Sequence, residues 1–270
     1  MRLFLIMMLS GILPACTHLL FQPHRIQYIT PDNLGVMYED VMLETDEQIR
    51  LHGWKLLASA ESRGTILFFH GNAENISTHF ANVHWLTGHG YDVYLFDYRG
   101  YGQSGGEAKL DAVIDDMELM IGYSVGQLPE AKKLIIMGHS LGGSLAIHAV
   151  AHSGFKHRIE TLITVEAFSD YHEVTQDVLS TSWLTWLFQW PLSFTVDNSY
   201  RPLDSVAQIA PIPLMLMHSR QDEIIPFEHA EALYEAAIEP KKLQVITGRH
   251  NMIFSSQKNR ELLLNYLFLL

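Results

Sequence analysis

The sequence predicts an α/β fold, in which a doubly wound, mostly parallel sheet carries helices on both faces. Short apolar segments alternate along the chain with longer segments of helical periodicity, as in parallel sheets buried on both sides. No repeat or linker divides the 270 residues, and 48% of them are hydrophobic, which is enough for one sizeable core. Right-handed crossovers between the strands then wind the sheet in both directions.

The predicted elements follow one another in the order that this class requires. Segments 41–43 and 49–57 form an early hairpin-like pair of strands. Buried strands are expected at 65–69, 93–96, 134–137, 161–165, 214–218 and 243–247. Helices are expected at 76–86, 110–125 and 141–151, with a final packing helix near the C-terminus. Ligands of such sheets bind beyond the carboxyl ends of the strands, so the residues that follow each strand are the functional candidates.

The first residues predict a bacterial lipoprotein signal. Residues 3–13 form an apolar stretch of signal-peptide length, and 13–16 read Leu-Pro-Ala-Cys, which resembles a lipobox. We expect a signal peptide over 1–15, lipidation of Cys16, a tether over 16–35 and one domain over 36–270. Thr17 favours the outer membrane of the cell envelope, with the protein facing the periplasm or the exterior. Proline in the second lipobox position is unusual, and the alternative is an incidental thiol behind an ordinary signal or short anchor.

Composition excludes several functional classes. The chain has 18 Lys and Arg against 30 Asp and Glu, a net charge of −12, and such a surface repels nucleic acid. The single cysteine rules out an internal disulfide framework and a cysteine metal cluster. Apolar runs stay below the roughly 18 residues of a membrane-spanning helix, so we do not expect one.

Ser140 is the candidate nucleophile. Segment 138–142 reads Gly-His-Ser-Leu-Gly and lies between a predicted strand and a predicted helix, as in a nucleophile elbow. Small neighbours let the backbone turn sharply, and the helix N-terminus favours developing negative charge. The alternative is a glycine-rich turn that only packs strand against helix.

His250 and Asp222 are the candidate base and acid. A serine needs a base to take its proton, and each of these residues follows a predicted strand. Ser140, Asp222 and His250 occur in the chain order used by α/β-hydrolases. Glu223 and Asp197 remain rival acids.

The backbone N–H groups of Asn72 and Leu141 are the candidate donors for an oxyanion. Leu141 directly follows the nucleophile, and Asn72 follows an early strand within His-Gly-Asn-Ala. The loop that holds Asn72 could equally serve as a helix-capping turn, and both functions are compatible.

These motifs together resemble the α/β-hydrolase superfamily from about Tyr38 to the C-terminus, and more narrowly its often membrane-attached branch with an H-G-N-A loop. The matching segments, in order, are 69–75 (FHGNAEN), 97–106 (DYRGYGQSGG), 138–143 (GHSLGG), 166–168 (EAF), 222–226 (DEIIP) and 248–251 (GRHN). The resemblance implies an α/β-hydrolase fold and a serine hydrolase of esters, thioesters or related acyl bonds. Ser219 departs from the pattern, since many relatives have glycine before the acid.

An insertion over 167–203 predicts a short helical cap or lid. Trp183, Trp186 and Trp190 fall on one helical face together with Leu187. This face either packs against the core or presents an apolar wall to an acyl chain, and the three tryptophans are therefore candidate substrate-binding residues.

The sequence thus favours an enzyme that cleaves apolar carboxylic esters or acyl thioesters, with a small-molecule or lipid-like acyl substrate and no metal or cofactor. The alternatives are an aminopeptidase and a non-catalytic lipid-binding lipoprotein on a hydrolase scaffold. The sequence does not predict an oligomeric state.

Overall fold

The computed structural model describes residues 20–181 and 183–270 and contains an eight-stranded sheet. The strands are β1 (Tyr38–Glu44), β2 (Arg50–Leu56), β3 (Gly64–Phe69), β4 (Tyr91–Phe96), β5 (Leu134–His139), β6 (Ile159–Val165), β7 (Leu214–Ser219) and β8 (Lys241–Ile246). Their order in the sheet is β1-β2-β4-β3-β5-β6-β7-β8. β2 pairs antiparallel with both β1 and β4, and the other neighbours are parallel. The predicted α/β fold and its early strand pair are confirmed.

Helices lie between the strands. The α-helices are α1 (Ile76–His79), α2 (Leu110–Gly126), α3 (Leu141–His152), α4 (Tyr171–Ser180), α5 (Gln189–Ser193), α6 (Pro202–Ser205), α7 (Glu228–Ala236) and α8 (Gln257–Leu267). Short 3-10 segments lie at Pro31–Leu34, Phe80–Asn82, His84–His89, Lys156–Arg158, Trp186–Phe188, Val206–Ile209 and His250–Ser255. Among the described residues, none of these helices has the length and apolar character needed to cross a bilayer.

The helix predicted over 76–86 is one α-helical turn followed by two 3-10 segments. Asn75 caps the start by accepting the Ser77 N–H (2.9 Å). Val83 then leaves the helical conformation at φ −131° and ψ −16°, which divides the segment. β-branched residues resist the helical backbone more than unbranched ones, which agrees with a break at Val83.

Alternate residues of the central strands enter two separate cores. In β3, Ile66 and Phe68 pack on one side of the sheet, whereas Leu67 and Phe69 pack on the other. One core includes side chains of α2, α3 and α7, and the other includes side chains of α8 and of segment 76–86. Both faces of the central sheet are therefore buried, which leaves its carboxyl edge as the place for a site.

The insertion over 167–203 folds as α4, the Trp186–Phe188 turn and α5, and not as a single helix. Trp183, Trp186 and Trp190 are 83%, 54% and 60% exposed. Of the two alternatives for these side chains, packing against the core is therefore the one that does not occur. The chain bends between α4 and α5, so the helical face drawn from residue spacing does not form.

The described part of the predicted tether, residues 20–35, lies against the domain. Phe21 is buried, and the Asn75 side-chain amide donates to the backbone carbonyls of His24 (3.0 Å) and Ile26 (2.7 Å). The segment thus crosses the loop that follows β3. The predicted signal peptide and Cys16 lie outside the described residues.

Candidate active site

Ser140 occupies a sharp turn between β5 and α3. Its backbone has φ 53° and ψ −121°, a conformation that costs a non-glycine residue on the order of 1–3 kcal/mol. The Ser140 N–H donates to the Val165 carbonyl at the end of β6 (2.8 Å), which holds the turn in place. The turn therefore has the geometry of the predicted nucleophile elbow.

Glycine is required on both sides of this turn by close backbone approach. A Cβ at Gly142 would lie 2.3 Å from the Phe69 carbonyl oxygen and 2.4 Å from that of His70. A Cβ at Gly138 would lie 2.6 Å from the Gly142 carbonyl oxygen. Larger residues would push α3 away from β3 and misplace Ser140.

His250 and Asp222 meet next to the elbow. His250 Nδ1 lies 2.6 Å from Asp222 Oδ2. The other carboxylate oxygen, Oδ1, accepts the backbone N–H groups of Ile224 (2.8 Å) and Ile225 (3.0 Å), which fixes the carboxylate. His139 Nε2 donates to the His250 carbonyl (3.1 Å), and His139 directly precedes Ser140. The predicted base is thereby tied to the segment that carries the predicted nucleophile.

A second carboxyl group, that of Glu166, lies against Asp222. Glu166 follows β6, is completely buried, and accepts the Ser219 N–H (3.2 Å). Its Oε2 lies 3.0 Å from His218 Nε2. Burial, together with the hydrogen bond and charge of Asp222, raises the pKa of Glu166 to about 10. Glu166 is therefore protonated at neutral pH and donates a hydrogen bond to Asp222.

The negative charge of this carboxyl pair resides on Asp222. Burial on its own would raise the pKa of Asp222, but hydrogen bonds from His250 and Glu166 hold it below its ordinary range. An ionised Asp222 accepts the Nδ1–H of His250 and leaves the Nε2 lone pair available as a base. The proton on Glu166 thus supports the imidazole tautomer that serine activation needs.

Three further histidines are buried beside the elbow. The ring of His79 lies 5.1 Å from that of His70 and 6.4 Å from that of His139. Burial lowers the pKa of all three, so they are neutral at pH 7. No positive charge on these rings therefore competes with His250 for the Asp222 carboxylate.

Asn72 is held by segment 20–22 and by Tyr101. Its side-chain oxygen accepts the Gln22 N–H (2.9 Å) and the Tyr101 hydroxyl (2.8 Å), and its Nδ2 donates to the Leu20 carbonyl (2.7 Å). Asn72 and Leu141 both line the same cleft as Ser140. The two predicted oxyanion donors therefore both border the cleft that contains the predicted nucleophile.

The cleft beside Ser140 is small and mainly apolar. It has a volume of about 290 Å³. Its lining residues are Leu20, Gln22, Asn72, Ser140, Leu141, Phe168, Val174, Thr175, Val178, Leu179, Ile224 and Ile225. The apolar wall of the cap thus comes from α4. Trp183, Trp186 and Trp190 are not among these lining residues, and their substrate-binding function stays a prediction.

Comparison with known proteins agrees with this geometry. The Hydrolase_4 family, described as serine aminopeptidase S33, matches residues 60–202, which is more than half of the chain. The chain belongs to this family. As a Hydrolase_4 member it is similar to the uncharacterized protein YfhR of Escherichia coli O157:H7, with 32% identity over 85% of this chain and 80% of that protein. It is 30% identical to the α/β hydrolase domain-containing protein WAV2 of Arabidopsis thaliana, over 77% of this chain and 70% of WAV2.

A solved structure supports the fold of this Hydrolase_4 member. The esterase Pf2001 of Pyrococcus furiosus superposes with a TM-score of 0.71 at 24% identity, covering 89% of this chain and 96% of that chain. The similarity shows a shared α/β-hydrolase fold. Together with the family match, it identifies the protein as a hydrolase.

The rival acids of this hydrolase have other partners. Glu223 Oε1 pairs with Arg249 Nε (2.8 Å) and reaches His250 only through its backbone N–H (3.3 Å). Asp197 accepts the Ser199 N–H (2.8 Å) within the cap. Asp222 is thus the one of the three candidates that contacts the His250 ring.

A second Ser-His-Asp set occurs outside the cleft. Ser169 Oγ lies 2.8 Å from His229 Nδ1, and His229 Nε2 lies 2.9 Å from Asp177 Oδ2. Ser169 is 1% exposed, against 9% for Ser140, and its backbone N–H also points to His229 (3.2 Å). This set joins the start of the cap to α7 and lines a separate cavity of about 440 Å³.

Sequence reasoning did not assign a function to Glu166 or to His139. An acidic residue directly after a buried strand at the carboxyl edge was the available signal for Glu166. Among the described residues, Glu166, Asp222 and His250 bring potential ligand atoms within 4.8 Å of one another. Two interactions account for this cluster: the two carboxyl groups share a proton, and His250 forms a hydrogen bond with Asp222. We therefore assign no metal to it.

Proposed function

We propose that this hydrolase cleaves apolar carboxylic esters or acyl thioesters, with Ser140 as nucleophile. One observation carries the proposal: Ser140 lies on a strained elbow in an apolar cleft, next to a His250–Asp222 pair joined at 2.6 Å. Strain at such a turn is typical of a functional residue and is unusual for a packing turn.

The residues support a complete acyl-transfer sequence. His250 Nε2 takes the Ser140 proton while Asp222 holds the Nδ1–H, and the serine oxygen attacks the acyl carbon. The N–H groups of Asn72 and Leu141 stabilise the oxyanion. His250 then protonates the departing alcohol or thiol, leaving an acyl-enzyme. Water, activated by His250, hydrolyses this intermediate and releases the acid.

A second candidate function, aminopeptidase activity, is favoured by the family description. An aminopeptidase must hold the ammonium group of its substrate, and a carboxylate is the usual partner for that charge. The described lining of the cleft contains no Asp or Glu. The apolar lining therefore favours an acyl chain over a free amino terminus.

A fluorophosphonate probe tests the assignment of the nucleophile. We expect the parent protein to be labelled and the Ser140→Ala variant to remain unlabelled. Ser169→Ala is the matched control, because it removes the serine of the second Ser-His-Asp set, and it should be labelled like the parent. Labelling of Ser140→Ala would overturn the assignment, and an unlabelled parent would favour the non-catalytic alternative.

A substrate panel separates the two enzymatic functions. Esters and thioesters of several acyl lengths are compared with aminoacyl amides, with Ser140→Ala as the blank. Faster turnover of the acyl esters or thioesters supports the proposal. Faster turnover of the aminoacyl amides would replace it with aminopeptidase activity.

We also propose that the chain is held in the bacterial cell envelope, preferably at the outer membrane, by a lipid on Cys16. The motif that ends at Cys16 supports this attachment. The mass of the parent should match residues 16–270 plus the acyl groups, whereas Cys16→Ala should carry no acyl groups and leave the membrane fraction. Equal masses and equal fractionation would refute lipidation.

A further inference from the structure

The cap carries an exposed aromatic surface whose residues are not part of the cleft lining. We define the cap patch as Trp183, Trp186, Leu187, Phe188, Trp190 and Phe194, whose exposed fractions range from 54% to 83%. We propose that the cap patch docks into the headgroup region of a lipid bilayer. This inference goes beyond the proposed function, since docking does not depend on hydrolysis.

The size of the cap patch is unusual for a soluble surface. Each aromatic side chain presents about 150–250 Å² when fully exposed, so the patch offers on the order of 700 Å² of apolar area. Patches on monomeric proteins are typically only about 300–600 Å², and larger ones mark interaction sites. A contact with an apolar partner would remove this area from water.

The chemistry of the cap patch fits a bilayer interface. Tryptophan is enriched where an apolar medium meets water, because its ring is apolar and its N–H can still reach a polar group. Residues 178–196 contain no Asp, Glu, Lys or Arg, although the whole chain has a net charge of −12. The cap patch is therefore a neutral region on an acidic protein, so that anionic headgroups meet no carboxylate there.

The cap patch is attached to the helix that lines the cleft. Two side chains of α4 form hydrogen bonds with residues next to the cap patch in sequence. His172 Nε2 lies 3.0 Å from the Val196 carbonyl oxygen, and Gln176 Nε2 donates to Ser193 Oγ (3.0 Å). Val174 and Val178, on another stripe of the same helix, line the cleft beside Ser140. A bilayer that holds the cap patch would thus lie next to the entrance used by an acyl substrate.

The point at which the chain enters the domain agrees with this orientation. Leu20 lines the same cleft, and Cys16 precedes it by four residues, a span of at most about 14 Å. A lipid on Cys16 would keep the cleft edge within that distance of the membrane. The N-terminal attachment and the cap patch therefore favour the same face of the protein.

Tryptophan fluorescence in brominated vesicles tests the docking. The full-length protein is reconstituted into phosphatidylethanolamine–phosphatidylglycerol vesicles, with and without bromine on the acyl chains near the headgroups. Trp54 and Trp85 are buried in the domain, so quenching reports mainly on the three exposed indoles among five tryptophans. We expect strong quenching and shielding from acrylamide. A parent protein that is not quenched would overturn docking, whether or not it hydrolyses esters.

Two variants test which face of the protein contacts the bilayer. Replacing Trp183, Trp186 and Trp190 together by Ser should remove most of the quenching, while the emission of Trp54 and Trp85 reports that the domain is folded. Leu269, which is 85% exposed and follows α8, provides the matched control. Leu269→Trp in the triple variant should stay unquenched, since its neighbour Phe268 packs near the amino ends of β3 and β4. Equal quenching at this position would overturn the proposed face.

A second copy of the chain is the alternative partner for the cap patch. Light scattering in detergent, corrected for the bound detergent, gives the protein mass of the parent and of the triple Trp→Ser variant. A monomeric parent supports the bilayer as partner, because no second copy then covers the cap patch. A dimeric parent whose triple variant is monomeric would assign the cap patch to a second copy and overturn the proposal.

Discussion

The buried carboxyl pair predicts that Glu166→Gln stabilises the protein increasingly as the pH rises. Glu166 has an ordinary pKa of 4.5 when unfolded, and burial with Asp222 beside it raises the pKa to about 10 in the folded protein. Between these values the folded state binds one proton more than the unfolded state. Stability is therefore lost with rising pH in this window. Glutamine does not titrate, and its amide can still donate to Asp222.

The expected size follows from proton linkage. Each pH unit within the window costs the parent about 1.4 kcal/mol relative to Glu166→Gln. Summed from pH 4.5, the titration difference reaches about 3 kcal/mol at pH 7. A comparison across pH is the cleaner measure, because any change in packing caused by the amide is nearly independent of pH.

Equilibrium urea unfolding of parent and variant at pH 6, 7 and 8 makes this measurement. The difference in the free energy of unfolding should grow by about 3 kcal/mol in favour of the variant from pH 6 to pH 8. Glu223→Gln is the control. Burial on its own would raise the pKa of Glu223, but hydrogen bonds from the His250 N–H and from Arg249 lower it. The difference in unfolding free energy between Glu223→Gln and the parent should therefore not change from pH 6 to pH 8. A flat difference for Glu166→Gln as well would show that Glu166 is ionised and would refute the reasoning.

Three other outcomes follow from the structure. Asp222→Asn presents an amide N–H to the His250 ring and favours the wrong tautomer, so kcat for a soluble ester should fall by about 10⁴, and a loss below tenfold would contradict the assigned acid. Val178→Trp should shorten the cleft and lower kcat/KM about fourfold for each methylene of the acyl chain that no longer fits. Measurement of kcat/KM for esters of increasing acyl length tests this, and acetyl esters should be least affected. Asp116→Ala leaves the buried Arg99 guanidinium without its two 2.7 Å hydrogen bonds and should lower the free energy of unfolding by about 3–5 kcal/mol, against little change for the exposed Asp115→Ala.

Several features of this protein could be predicted from residues that are close together in the sequence. Mainly apolar strands of four or five residues predict a sheet buried on both faces, and the two cores on β3 confirm this. The nucleophile turn was equally legible, because Gly138 and Gly142 are needed within four residues of each other for a backbone contact that no Cβ can enter. These features depend on residues that are close together in the chain, so the spacing of those residues is enough to predict them.

Only the tertiary structure decided which distant groups meet. The choice of Asp222 over Glu223, the burial of Glu166 against it, and the position of Leu20 in the cleft all depend on loops from different strands converging at one edge of the sheet. The tryptophans of the cap show the same limit. Helical spacing placed them on one face, but the chain bends between α4 and α5, so that face does not form and all three indoles are exposed. Burial is a property of the folded surroundings, which no local pattern of residues specifies.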